Sequence, residues 1–251
     1  IISPLENITN FETILINKNN FEYILSCVGA RKALKKDVQH VDMNINNNII
    51  NTLKNYKIDI KRFILVSGAC VKTPKIDIQF CKIESEKILI NSGIPYFIIR
   101  PTCYYKCFDK MISYAQKNKK IWLVGSGTYA PIYPLDTDEL AEYIINNISE
   151  VQENQIISIG GEKNYSMSLL GEELRLYFER RNIECNITRI PVWLLKCARC
   201  FFSLLSCYIC PLCTRIASVI ELYIYYNTEG MIPDTFIQSK DFVKYIKKKI
   251  D

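Results

Sequence analysis

Lys61-Arg-Phe-Ile-Leu-Val-Ser-Gly68 is the stretch on which the fold turns. Two cations lead into an unbroken apolar run, Phe63 to Val66, which then gives way to Ser67 and Gly68. An apolar run that does not alternate reads as a strand covered on both faces. Downstream, Cys81 to Ser92 reads as a helix ending at Gly93, a natural C-cap position. Tyr96-Phe-Ile-Ile-Arg100 is a further apolar strand, stopped by Pro101. Upstream, Phe21 to Val28 is a strand ending at Gly29, and Val41, Ile45, Ile49 and Leu53 recur at every fourth position, one face of a helix. Strand, helix, strand, helix, strand at this spacing predicts βαβ units and a parallel sheet.

The second half is less regular. Ile121-Trp-Leu-Val124 and Gln155-Ile-Ile-Ser-Ile159 read as strands, the latter closed by Gly160-Gly161. Asp136 and Glu139 have capping-box spacing and open a helix through Ile148. Ser166 or Ser168 caps a helix to Arg181, and Pro191 opens a long apolar helix that Pro211 breaks or kinks. The expected fold is α/β: a doubly wound parallel sheet with a smaller C-terminal lobe. The division expected is 1–125 for the nucleotide-binding part and 126–251 for a substrate or cap region whose strands return to the sheet.

Composition sets bounds. The chain has 251 residues, 49% hydrophobic and 23% charged, enough for a large core. The net charge of +6 is modest, and Lys244, Lys247, Lys248 and Lys249 read as a solvated helix face. No basic stripe with interleaved aromatics accompanies them, so no nucleic-acid partner is expected. Eleven cysteines lie scattered through apolar runs, unlike a small disulfide scaffold, which points to a reducing compartment. The single histidine, His40, reads as a surface residue.

In open α/β sheets, ligands bind beyond the carboxyl ends of the strands. Three such ends carry small or polar residues: Ser26-Cys27-Val28-Gly29-Ala30, Ser67-Gly68-Ala69-Cys70 and Arg100-Pro101-Thr102-Cys103-Tyr104-Tyr105. Small residues let a flat cofactor approach the backbone, and hydroxyls can bond its ribose. This is the Rossmann-type pattern. In short-chain dehydrogenases a Tyr-x-x-x-Lys pair sits on the helix after the second of these ends. Lys82, 15 residues after Ser67, would open that helix, but Ile78 stands where the tyrosine would be.

Ser67-Gly-Ala-Cys-Val-Lys-Thr-Pro74, Gln79-Phe-Cys-Lys82 with Glu84 and Glu86, and Ile99-Arg-Pro-Thr-Cys-Tyr-Tyr-Lys106 together resemble the divinyl (proto)chlorophyllide 8-vinyl reductases, atypical NmrA-like short-chain dehydrogenases. The resemblance runs from about Phe21 onward and is strongest from Phe63 to Lys106. It implies an NADPH-dependent oxidoreductase that reduces a vinyl group of a tetrapyrrole in plastids. It implies that Ser26, Cys27, Val28, Gly29, Ala30, Ser67, Gly68, Ala69, Lys82, Pro101, Thr102 and Cys103 line the cofactor. Tyr104, Tyr105 and Lys106 would face the substrate, with Tyr104 or Tyr105 as proton donor and Lys82 on the nicotinamide ribose. The family's glycine-rich phosphate loop has no counterpart here; the chain begins with Ile1, and the N-terminal strands are expected upstream. Residues 1–251 alone are therefore expected to bind dinucleotide poorly. The alternative is a non-catalytic NmrA-like protein that binds NAD(P) and acts in regulation or assembly.

Lys196 to Cys213 holds Cys197, Cys200, Cys207, Cys210 and Cys213. Thiolates three apart can share a metal, yet the flanks are Phe, Leu, Ile and Tyr, among which cysteine behaves as a small hydrophobe. A packed or membrane-facing helix, a metal site and acylation are the readings open, and no metal is expected. With Trp193, Phe201 and Phe202 beside Lys196, Arg199 and Arg215, residues 193–215 suit peripheral membrane contact.

Overall fold

The structure, a computed structural model, describes Leu15 and residues 21–30, 35–128, 130–150, 154–206 and 211–250. These fall into two compact units, 1–100 with 151–157, and 101–150 with 158–251. The boundary near residue 125 suggested by the sequence falls inside the second unit.

The first unit is built on strands β1 (Tyr23–Ser26), β2 (Arg62–Val66) and β3 (Tyr96–Pro101). β1 pairs parallel with β2 from Tyr23↔Arg62 to Ser26↔Leu65, and β2 with β3 from Phe63↔Tyr96 to Val66↔Ile99. Between β1 and β2 runs a helical stretch: α1 (Lys35–Val38), a π-helical segment Gln39–Asn44, and α2 (Ile45–Asn55). Between β2 and β3 lies α3 (Asp77–Ile90). This helix starts earlier than its apolar pattern suggests, because the Gln79 side chain accepts hydrogen bonds from the Lys75 and Ile76 amides and ties down the first turn. Lys82 consequently lies in the second turn.

Burial follows the apolar periodicity. Ile45, Ile49 and Leu53 on α2 and Leu89 on α3 pack with Phe63, Leu65 and Ile98 of the sheet. Burying each such side chain contributes about 1.5–3 kcal/mol. β2 is buried at its first four positions, as a strand covered on both faces should be, but β1 is not: Leu25 is half exposed. β1 ends the row of described strands in this unit and has no described helix over Leu25, so its apolar run is covered on one side only.

β7 (Gln155–Gly161) begins in the first unit and ends in the second. In the second unit β7 pairs parallel with β9 (Thr235–Ile237), β4 (Cys103–Tyr104) with β6 (Pro134–Leu135), and β5 (Lys120–Val124) with β8 (Asn186–Ile190). Its helices are α4 (Asp109–Asn118), α5 (Thr137–Asn147), α6 (Met167–Glu179), α7 (Val192–Ser206), α8 (Pro211–Thr228) and α9 (Phe242–Ile250). Asp136 and Glu139 form the expected capping box: the Asp138 amide donates to Asp136 and the Asp136 amide to Glu139. Of the two serines, Ser166 is the cap of α6, accepting from the Leu169 amide at 3.2 Å. The apolar segment after Pro191 is two helices, with α8 beginning at Pro211 as the ring demands.

Candidate functional site

The carboxyl ends of β1 and β2 enclose a small set of charged and polar side chains. The π-helical segment turns Asp42 inward, and one helical turn later Asn46 follows on the same face; both are buried. Ser26, the last residue of β1, donates from Oγ to Asn46 Oδ1 at 2.6 Å. Asn46 Nδ2 donates to the Asp42 carbonyl and to Ser85 Oγ, each at 3.1 Å. The Ala30 amide donates to Asp42 Oδ2 at 3.0 Å. Across from them, Lys82 of α3 places its ammonium 2.8 Å from Asp42 Oδ1, with side-chain exposures of 16% and 1%.

α3 presents Lys82, Ser85 and Glu86 on one face, because residues three and four apart stand above one another. Glu86 receives Arg100, at the end of β3, in a two-pronged pair: Nε to Oε1 at 3.1 Å and Nη2 to Oε2 at 2.5 Å. The unit thus holds two ion pairs close together, each with a nearly inaccessible carboxylate and a partly accessible cation. Desolvation offsets much of the attraction in such pairs, so their main effect is to fix geometry.

A narrow recess of about 10 Å³ opens among Val28, Asp42, Asn46, Ser67, Lys82 and Ser85. It has room for about one water-sized group. Ser67 Oγ is enclosed there and has no hydrogen-bond partner among the described residues. Gly68 lies beside the Lys82 stem; a Cβ on it would meet Cys70 Sγ at 3.2 Å and Lys82 Cδ at 4.0 Å. Of the residues expected to line a cofactor, Ser26, Val28, Ala30, Ser67, Gly68 and Lys82 are therefore grouped in this unit, while Ala69 is buried and Cys27 and Gly29 are exposed.

The other expected residues stand in the second unit. Pro101 and Thr102 are buried, and the Thr102 hydroxyl is committed to the Tyr133 carbonyl at 2.5 Å. Its neighbour Gly160 is a forced glycine, since a Cβ would come within 2.9–3.0 Å of Tyr133, Pro233 and Thr102, and at Gly161 a Cβ would strike the Pro134 carbonyl at 2.3 Å. Cys103 and Tyr104 are half-buried. Tyr105 is 1% exposed and stacks on Phe242 and Tyr245 at centroid distances of 6.0 and 5.4 Å. Burial pushes its phenol pKa well up, with Tyr165 adding to the shift. Tyr105 is thus a packing residue of an aromatic cluster that also holds Phe108 and Tyr165. Lys106 is exposed.

Asp42 and Asn46 are buried members of this cluster that the strand-end reading passes over, whereas the adjacent Asn44 is exposed. The available signal is the pair of polar residues four apart on a helix whose neighbours Ile45 and Ile49 are core. His40 is exposed. Cys207 and Cys210 lie outside the described residues; among the described ones no group of metal-ligating side chains gathers, and Cys197 and Cys200 are exposed on α7.

No protein-family model matches the chain. It is 25% identical over 229 residues, 88% of its length, to the divinyl chlorophyllide a 8-vinyl-reductase, chloroplastic, of Cucumis sativus, and 25% identical over 178 residues to that of Arabidopsis thaliana. The chain spans about half the length of these relatives: 54% and 42%. Among solved structures it resembles the NADPH-dependent quinone oxidoreductase of Escherichia coli complexed with NADPH (TM-score 0.68, 15% identity, covering 99% of this chain and 82% of that one). It also resembles dTDP-4-dehydrorhamnose reductase of Bacillus anthracis in complex with NADP (TM-score 0.64, 11% identity, 98% and 85%). The chain has the Rossmann-type fold of these NAD(P)-binding proteins, and over most of its length its sequence is similar to the chloroplastic divinyl chlorophyllide a 8-vinyl-reductases.

Proposed function

We propose that this chain carries the nicotinamide-facing part of an NADPH-dependent reductase acting on a carbon–carbon double bond, the vinyl group of a tetrapyrrole of the divinyl chlorophyllide class. The observation that carries the reading is the Lys82 ammonium, fixed at 2.8 Å by a buried Asp42 beside Gly68 and the unpartnered Ser67 hydroxyl at the end of β2. An enclosed donor and a cation of set position suit the two hydroxyls of a ribose. The recess is too small to enclose a ring, so these side chains would act as an edge on which the sugar rests.

NADPH, when bound, supplies the hydride. The protein's own task is then to orient the ribose through Lys82 and Ser67 and to deliver a proton to the second carbon. Ile78 removes the usual tyrosine from the turn before Lys82. Tyr104 is the better donor of the adjacent pair, because it stays half-buried where Tyr105 is packed and its phenol held protonated. The relatives' chloroplastic names support a plastid location.

One observation favours the non-catalytic reading: Asp42 neutralises the lysine that would otherwise lower the pKa of a neighbouring acid. Titration of NADPH into the complete protein, followed by turnover of divinyl chlorophyllide, separates the two. The reductase reading expects both, with Lys82→Ala weakening NADPH by about tenfold or more, the loss of one charge-assisted bond. Unchanged affinity in Lys82→Ala overturns the placement of Lys82. Binding without turnover selects the regulatory reading.

A further inference from the structure

The helices α7 and α8 pack against one another, with Arg199 Nη1 of one reaching Glu221 Oε1 of the other at 2.9 Å. At 100° per residue, Leu195, Ala198, Phe202 and Leu205 of α7 lie on the partly buried side. The opposite side is as apolar as the packed one. Trp193, Cys197, Cys200, Phe201 and Leu204 fall within one outward arc, and Trp193, Phe201 and Leu204 are 65%, 57% and 67% exposed. On α8, Leu212, Val219 and Tyr223 are exposed along a similar stripe. A surface helix ordinarily turns charge to water on that side.

The charges near this face have one sign. From Val192 to Thr228 the sequence holds a single carboxylate, Glu221, and it is drawn to Arg199. Lys196 and Arg215 are exposed. Among the described residues no helix is long and apolar enough to cross a membrane. We infer that α7 and α8 form a surface that lies flat on an anionic lipid bilayer. Trp193, Phe201 and Leu204 enter the headgroup boundary, and Lys196 and Arg215 meet lipid phosphates. A second copy of the chain fits less well, because a two-fold interface would set these same cations against one another with no carboxylate on the face to receive them. The surface uses none of the residues assigned to cofactor or substrate, and stands whether or not the reductase reading does.

The test uses the full chain with Trp122→Phe, which leaves Trp193 as the sole tryptophan. It is mixed with vesicles of phosphatidylcholine alone or with about one-third phosphatidylglycerol. The expected result is sedimentation with the anionic vesicles, a blue shift of Trp193 emission, and release by high salt. Phe201→Ser with Leu204→Ser should abolish the shift. Lys196→Glu with Arg215→Glu, which touches no packed residue, should weaken binding by about tenfold or more at two cations lost. Each variant is checked by its thermal melt, and the charge pair decides if the serine pair melts early. No sedimentation with either vesicle overturns the inference, as does equal binding to both. So does concentration-dependent self-association, lost in the serine variant, without vesicle binding.

Discussion

Beside its apolar core the first unit buries a polar cluster, and the second unit buries an aromatic one. In the first, the ends of β1 and β2 close over Ser26, Asp42, Asn46, Lys82 and Ser85, joined by hydrogen bonds and one ion pair. In the second, Tyr105 and Phe108 of the segment after β4 pack with Tyr165 through the Phe242 ring. Ring packing stabilises through the area it removes from water. A buried polar network returns little net stability once desolvation is counted, and what it fixes is position. The contrast assigns different work to the two: the aromatic cluster holds the second unit together, and the polar cluster holds Lys82 and Ser67 in place.

The largest effect that would test this contrast is Phe242→Ala. Phe242 is fully buried and touches three other rings, so its truncation is expected to cost about 3–5 kcal/mol, read as a shift of the denaturation midpoint. A loss under about 1 kcal/mol would mean that the cluster tolerates a cavity and is not what orders this unit. Asp42→Asn should cost less, about 1–3 kcal/mol, since Lys82 is partly accessible and can turn its ammonium to water once the carboxylate is neutral. Its signature should be functional: NADPH affinity falls with Lys82 displaced. In a double-mutant cycle, Asp42→Leu with Lys82→Met should be less destabilising than Asp42→Leu alone. Additive losses would show that the two residues do not act as a pair.

The same contrast explains what could be read from the sequence. Runs of hydrophobic residues between turn signals locate β2, β3 and α3 to within a few residues, because burial alone decides those elements. The glycines at 160 and 161 stood out for the same local reason. The polar cluster was only half visible. Ser26, Ser67 and Lys82 lie next to strand ends or on the following helix, where the topology itself points, whereas Asp42 and Asn46 reach the site through a π-helical segment that no propensity announces. Tyr105 misled in the opposite direction: adjacent to Tyr104 in sequence, it is turned by the 3₁₀ segment Tyr105–Phe108 onto Phe242, more than a hundred residues downstream. Contacts of that range have no local trace.

The smallest effect concerns Asp241, which closes the start of α9 and so bears on how Phe242 is delivered to the aromatic cluster. Asp241 Oδ1 accepts the Lys244 amide at 2.9 Å, and its other oxygen faces Lys163 at 3.4 Å. The backbone bond, then Lys163, holds the carboxyl below its usual 3.8. A carboxylate with a depressed folded-state pKa adds stability that is fully present above its unfolded pKa. That stability is lost as pH falls through the lower folded value. Asp241→Asn keeps an oxygen for the Lys244 amide but removes the charge at the helix N-terminus, so it should cost only a few tenths to about 1 kcal/mol near neutrality. Subtracting the variant's stability curve from the parent's should leave a difference that is flat above pH 5 or so and vanishes toward pH 2. A difference that persists in acid would place the stabilising bond in the geometry of the cap and not in its charge. The aromatic cluster would then owe its second-unit anchor to hydrogen bonding alone, with no electrostatic component resembling the one that fixes Lys82.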